Sequence, residues 1–305
     1  MNTDRRPPEA LVSEDVRLPY SKGLMAKTLM GTGLRPERAY EVARLIEGEL
    51  VRGGEDEAVG PERLYDVAAS VLADHEGDEA VLLLRRLQAL RELDLPIVLL
   101  IGGATGTGKS TVATEIAHRL GVTRVTSTDT VRQTMRAFFS QKFMPSIHYS
   151  SFDAGRALAG YEDEAVDAVR DGFLEQTREV LVGVRAAIDR ALEEGWSMVL
   201  EGVHLVPGML PKQIEGALVV ECVLAISDPE AHASHFWIRD TASSGARSYE
   251  KYLDSFGDIR LIQEHILSRA RKYGVPVVEN GDMELAIGEV MELVLTAAQP
   301  ISAVP

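Results

Sequence analysis

An apolar run leads without interruption into a glycine-rich turn at residues 97–111, IVLLIGGATGTGKST. Within it, Gly103-x-x-x-x-Gly108-Lys109-Ser110 has the spacing of a backbone nest for phosphate. Glycines at 103, 106 and 108 let the chain curl so that the amides from Ala104 through Thr105, Gly106 and Thr107 point inward. Lys109 then reaches the outer phosphates, the Ser110 hydroxyl completes a Mg2+ shell, and Thr111 opens the following helix, TVATEIAHRL. A strand before the turn and a helix after it argue against a chance glycine cluster, so the chain is expected to bind nucleotide phosphate, with Mg2+.

The second chemical position is Asp129, in TSTDTVRQTMR. A carboxylate emerging from a strand end beside a phosphate loop can take a proton from an attacking hydroxyl or orient the Mg2+ shell. It can also cap the next helix, and both roles can coexist. Arg132 and Arg136 follow at three and seven residues, on the same helical face, where bidentate guanidiniums suit an anionic acceptor. The alternative for them is a solvated charged face. In MVLEGVH, three apolar residues close on Glu201, the shape of a strand whose terminal carboxylate serves metal-bound water or the attacking group. Gly202 permits close backbone approach, and His204 stands either for substrate contact or for a structural hydrogen bond.

Two further stretches complete the expected site. FFSQKFMPSIHYSSFDAGRALAG is long and poorly periodic, and we read it as a cover over the acceptor, with His148 and Ser151 as contacts; the alternative is an ordinary surface excursion. Residues 228–251 read as a closing lid carrying His232, His235, Arg239, Arg247 and Lys251, with Arg239 and Arg247 as the preferred cations; Arg260 beyond it reads equally as another cation or as a helix-surface salt bridge.

These residues require a scaffold that gathers strand ends. From Pro96 onward strand and helix alternate, with strands expected at 97–101, 122–126, 198–201, 219–226 and 275–278, and one long amphipathic helix over 164–194. That pattern specifies an α/β fold, a parallel sheet flanked by helices. Before it, helices are expected at 21–30, 37–50, 61–72 and 79–93, with Asp94-Leu95-Pro96 as the joint. The organisation expected is a disordered tail over 1–10, a small mostly helical domain over 11–94 and the nucleotide-binding domain over 95–305.

A formal net charge of −15 opposes binding to polyanions, so nucleic acid and membrane surfaces are not expected partners. The single cysteine, Cys222, lies in ALVVECVLAI and reads as a buried core thiol without a disulfide. The start MNTDRRPPEA has no apolar signal core, which gives the expectation of a cytoplasmic protein; the reading leaves room for a homodimer.

Taken together, GGATGTGKSTVATEIAHRLG, VTSTDTVRQTMR, VLEGVHLVPG and YLDSFGDIRLIQEHILSRARKYGVPVVEN resemble the 2-phosphoglycerate kinase family of P-loop kinases over roughly the last two-thirds of the chain. The resemblance implies a P-loop NTPase-type sheet and ATP-dependent phosphorylation of the 3-hydroxyl of 2-phosphoglycerate, a small anionic substrate, to 2,3-bisphosphoglycerate. The N-terminal PYSKGLMAKTLMGTGLRPERAYEVARLIEGEL is similar to an ATP-cone, a helical regulatory module, with Lys22 and Lys27 as its phosphate contacts. Other readings of the same residues are a kinase of another small hydroxy acid or sugar acid, and a nucleotide-responsive switch without turnover.

Overall fold

The computed structural model describes residues 19–54, 58–93, 95–158, 166–242 and 249–302. The chain divides into two compact units, residues 1–91 and 92–305.

Among the described residues of the first unit there are four helices: α1 (Lys22–Met30), α2 (Pro36–Arg52), α3 (Pro61–Glu76) and α4 (Asp78–Arg91). Proline at the first turn starts both α2 and α3, where its missing N–H costs nothing. The stripe Ala39, Val42, Ala43, Ile46 and Leu50, spaced for one helical face, is buried against Leu29, Ala68 and Leu72. Lys22 is ion-paired with Glu47 at 3.0 Å.

Among the described residues of the second unit five parallel strands alternate with helices: β1 (Ile97–Gly102), α5 (Lys109–Leu120), β2 (Val125–Ser127), α6 (Thr128–Phe138), α7 (Val166–Glu193), β3 (Met198–Glu201), β4 (Leu218–Ala225), α8 (Pro229–Ala242), α9 (Tyr249–Asp254), α10 (Phe256–Tyr273), β5 (Val277–Glu279) and α11 (Met283–Ser302). Strand order is β2-β3-β1-β4-β5. Every residue of β1 is buried, as befits a central strand with a layer of helices on each face. Cys222, on β4, is fully buried, and burial pushes its thiol up to about 12, so it is a neutral core residue.

The structure departs from the expected elements in three places. The second strand is only three residues long and shifted toward Ser127, so Asp129 stands in the first turn of α6 with Ser127 as its N-cap. The stretch 139–158, poorly periodic in sequence, is built on two 3₁₀ turns, Ser146–His148 and Ala154–Ala157, with Ile147, Phe152 and Ala154 buried. Gly172 makes this possible: a Cβ there would lie 2.3 Å from Gly155 N, so α7 and the second turn meet backbone to backbone. Finally, α11 follows the last strand, an element that periodicity in MELAIGEVMELVL announces but that the expected series ends without.

Among the described residues no helix is long and apolar enough to cross a membrane.

Candidate active site

Strand register alone gathers the site. In the parallel ladder Glu201 on β3 lies level with Ile101 on β1 and with Ser127 on β2. The glycine-rich loop begins just beyond the first of these partners and α6 just beyond the second, so Glu201, the loop and Asp129 share one carboxyl edge of the sheet, where ligands of open α/β sheets collect.

The loop from Gly103 to Gly108 joins β1 to α5, with Gly103, Gly106 and Gly108 all at positive φ. Gly106 has a second reason to lack a side chain, since a Cβ would fall 2.5 Å from Phe236 Cζ. Lys109 is buried and its Nζ donates to Ala104 O at 2.7 Å; the Thr107 hydroxyl donates to the same carbonyl at 3.0 Å. Ser110 Oγ donates to Glu201 Oε1 at 3.0 Å, and Glu201 is 5% exposed. A hydroxyl and a buried carboxylate in contact are the hard oxygen donors that Mg2+ takes. A cleft of about 380 Å³ opens beside them, lined by Gly106, Lys109, Ser110, Thr111, His235 and Asn280 among others.

On the other side of Glu201, α6 is brought in by Gly202, whose φ is +151° and where a Cβ would lie 1.8 Å from Thr128 Oγ1. Thr128 starts a chain of hydrogen bonds. Its hydroxyl pairs with His204 Nδ1 at 2.9 Å, and His204 Nε2 pairs with Gln176 Oε1 at 3.0 Å. The Gln176 amide donates to Ser146 O at 2.6 Å and Tyr149 O at 3.1 Å, which fixes Oε1 toward the imidazole and makes His204 the Nε2–H tautomer. Complete burial lowers the His204 pKa to about 4, so it is neutral and Nδ1 accepts from Thr128.

Arg132 closes the same network: Nε donates to Asp129 Oδ1 at 3.2 Å, and Nη1 donates to Ile147 O at 2.9 Å and Tyr149 O at 2.8 Å. The Asp129 side chain is 64% open to solvent, yet protein crowds it on its other sides. That crowding by itself would raise its pKa, but the Arg132 guanidinium, which also donates to it, and the Lys109 ammonium outweigh it and hold the carboxyl below its usual value. Asp129 is therefore an ionised carboxylate at neutral pH, aimed from the first turn of α6.

Several expected contacts are placed differently. Arg132 has its fork on protein carbonyls because only 8% of it is exposed, so it holds Asp129 and the 146–149 turn instead of standing free for an acceptor. His204 is wholly inaccessible with both nitrogens engaged, which removes it from direct substrate contact. Arg136 is exposed and donates to Gln133 on its own helix at 3.1 Å. His148 is hydrogen-bonded through Nε2 to Phe139 O at 2.9 Å, and Ser151 is buried. Arg239 lies within α8, but its side chain is outside the described residues, as is the whole of Arg247. Sequence reasoning missed Gln176 and Asn280. Gln176 sits with Thr177 at buried positions of α7 among apolar neighbours, and Asn280 follows directly on a strand's carboxyl end, which are the two signals that could have found them.

No family model matches the chain. Relatives do. It is 37% identical over 277 residues to the 2-phosphoglycerate kinase of Methanothermobacter thermautotrophicus, covering 90% of this chain and 89% of that one. With the 2-phosphoglycerate kinase of Pyrococcus furiosus it shares 36% over 277 residues, covering 91% and 89%. With that of Methanocaldococcus jannaschii it shares 40% over 268 residues, covering 86% and 83%. Matches that run through both units cannot come from a nucleotide loop alone, and by them the chain belongs to the 2-phosphoglycerate kinase family.

Proposed function

We propose that this chain transfers the γ-phosphoryl group of ATP to the 3-hydroxyl of 2-phosphoglycerate, giving 2,3-bisphosphoglycerate and ADP. The observation that carries this reading is the meeting of a phosphate nest, the Ser110–Glu201 oxygen pair and the ionised Asp129 at one carboxyl edge. Membership of the kinase family supports the choice of acceptor.

In this proposal the loop amides from Gly103 to Thr111 receive the phosphates, and Lys109 exchanges its neutral Ala104 carbonyl for phosphate oxygens, which are stronger acceptors for an ammonium group. Ser110 and Glu201 would hold Mg2+, which when bound neutralises charge on the phosphates. Asp129 accepts the hydrogen bond of the acceptor hydroxyl and takes its proton as the new phosphate ester forms. A carboxylate with a depressed pKa is a weak base, so its larger part is to orient the hydroxyl, which suits a loose transition state in which the proton leaves late. With 64% of its side chain open to solvent, Asp129 can release that proton to water.

With Arg132 committed to the protein, recognition of the acceptor's phosphate and carboxylate falls in this proposal to Arg136 on α6 and to Arg239 and Arg247 after β4. His204 acts one step removed, by holding Thr128 and the turn beneath Asp129. The helical first unit is proposed as an ATP-cone-like module; at Lys22 a phosphate would have to displace the Glu47 carboxylate.

A panel of acceptors in a coupled ADP-release assay tests the reading. Turnover is expected with 2-phosphoglycerate and to be at least about 100-fold lower with uncharged polyols, which cannot engage arginines. A preference for another small sugar acid would transfer the proposal to that substrate.

A further inference from the structure

Four consecutive carbonyls of the phosphate loop each accept a hydrogen bond from a side chain. Ala104 O is served from within the motif, by Thr107 Oγ1 and Lys109 Nζ. The next three are served from outside it. His232 Nε2–H donates to Thr105 O at 2.8 Å, His235 Nδ1–H to Gly106 O at 3.1 Å, and Asn280 Nδ2–H to Thr107 O at 2.9 Å. Two of these donors stand on α8 and the third follows β5, so the loop is held from two separate elements.

A trans peptide carries its C=O and N–H on opposite sides. Holding the carbonyl of one residue away from the nest therefore turns the N–H of the next residue into it. The three side chains thus set the directions of the Gly106, Thr107 and Gly108 amides, of which Thr107 N–H has only a long internal contact, 3.5 Å to Ala104 O. The donors are themselves fixed. His232 is fully buried, with its ring 5.6 Å from that of Phe236, and Arg260 Nη1 lies 3.5 Å from its Nδ1. Arg260 is anchored in turn on Ile226 O at 2.7 Å and Ser227 O at 3.0 Å, where the chain leaves β4.

Asn280 supplies an independent sign of function. It is 5% exposed and lines the nucleotide cleft, and its Oδ1 is buried without a partner among the described residues while Nδ2 serves the loop. A buried unpaired acceptor lowers stability, and leucine, of similar size, would avoid it. The amide's other half explains why it is there: Nδ2 sits so close to the loop that a Cβ at Gly108 would lie 2.3 Å from it.

We propose that His232, His235 and Asn280 are positioning residues that preset the phosphate loop, holding its amides toward the nucleotide phosphates before ATP arrives. The inference rests on the loop being the ATP site. Its test is calorimetric titration of ATP into the full-length wild type, Asn280→Leu, His232→Phe and His232→Gln, with thermal denaturation and the 2-phosphoglycerate KM measured on each. Asn280→Leu and His232→Phe are expected to weaken ATP about five- to ten-fold, the worth of one lost hydrogen bond, with the acceptor KM unchanged. Asn280→Leu is expected to keep the melting temperature near that of the wild type, because the loss of the unpaired Oδ1 offsets the Thr107 carbonyl left without its donor. His232→Gln, whose amide N–H replaces that of Nε2, returns ATP affinity to within about two-fold. Wild-type ATP affinity in Asn280→Leu, or a lowered melting temperature without loss of ATP, overturns the inference and assigns Asn280 to the fold alone. A wild type that does not bind ATP overturns the kinase reading itself, and the inference with it.

Discussion

Replacing Arg132 by lysine keeps the charge and removes the geometry. Arg132 makes three hydrogen bonds at once, to Asp129 Oδ1, Ile147 O and Tyr149 O, from a side chain only 8% exposed. A lysine ammonium on its shorter stem reaches one of these groups and leaves the others unmet. Hydrogen bonds to a charged donor contribute roughly 1.5–3 kcal/mol each, and lysine retains part of that, so the expected loss is about 3 kcal/mol. For a unit of this size that corresponds to a fall of roughly 6 to 12 °C in melting temperature. Asp129 loses its tether in the same step, so kcat is expected to fall about ten-fold while the ATP KM holds. Scanning calorimetry and steady-state kinetics on the one variant read both effects. A melting temperature within about 1 °C of wild type, together with a raised acceptor KM and unchanged kcat, would show that Arg132 faces the ligand and that its place in the network is wrong.

Other perturbations separate the remaining parts. Lys109→Ala should leave the melting temperature nearly unchanged and abolish phosphoryl transfer, since the ammonium can follow the moving charge; substantial turnover would remove it from the site. Asp129→Asn should lower kcat about 100-fold with ATP affinity kept, and a collapse of ATP affinity would instead assign Asp129 to the metal shell. Gly202→Ala places a Cβ 1.8 Å from Thr128 Oγ1 at a φ of +151°, so a loss of about 3 kcal/mol is expected in chemical denaturation, and a near-neutral result would mean that α6 does not approach β3 so closely. His204 stays neutral in the fold down to about pH 4, whereas in the unfolded chain it takes a proton near 6.5. Its contribution, about 3 kcal/mol, is therefore complete above pH 6.5 and is lost as the pH falls toward 4; Asp129, with its depressed pKa, adds a further loss below the ordinary carboxylate range. Denaturation curves at pH 7 and pH 5 should show this slope in the wild type and less of it in His204→Gln; equal slopes would contradict the buried neutral imidazole.

Much of this was legible in the residues, for physical reasons that can be named. The phosphate loop declares itself because glycines at positive φ and a lysine at fixed spacing have few other uses, and Glu201 does so because a charge closing an apolar strand needs a purpose. The register that sets Glu201 beside Ser127 and Ile101 was implicit once the strands were parallel. What sequence spacing could not show is where a side chain spends its hydrogen bonds. Arg132 and Asp129, three residues apart on a helix, read equally well as a ligand clamp or as an internal pair, and the decision lies with Ile147 and Tyr149, whose carbonyls no local pattern announces. The same holds for Gln176, 28 residues from His204 in sequence and 3.0 Å from it in the fold. The second strand reads too early because only three residues pair there, and the 139–158 segment shows no regular period because its 3₁₀ turns are too short to leave one.

The central claim is that the ionised Asp129 presents one hydroxyl of a small anionic acceptor to the γ-phosphate of ATP. Following the full-length chain by 31P NMR with ATP, Mg2+ and 2-phosphoglycerate tests it most directly. The account predicts that a second phosphomonoester appears on C3 of the acceptor in step with ADP, and that Asp129→Asn slows its appearance about 100-fold. ADP accumulating with inorganic phosphate and no new ester, or transfer that proceeds at the wild-type rate in Asp129→Asn, would contradict it.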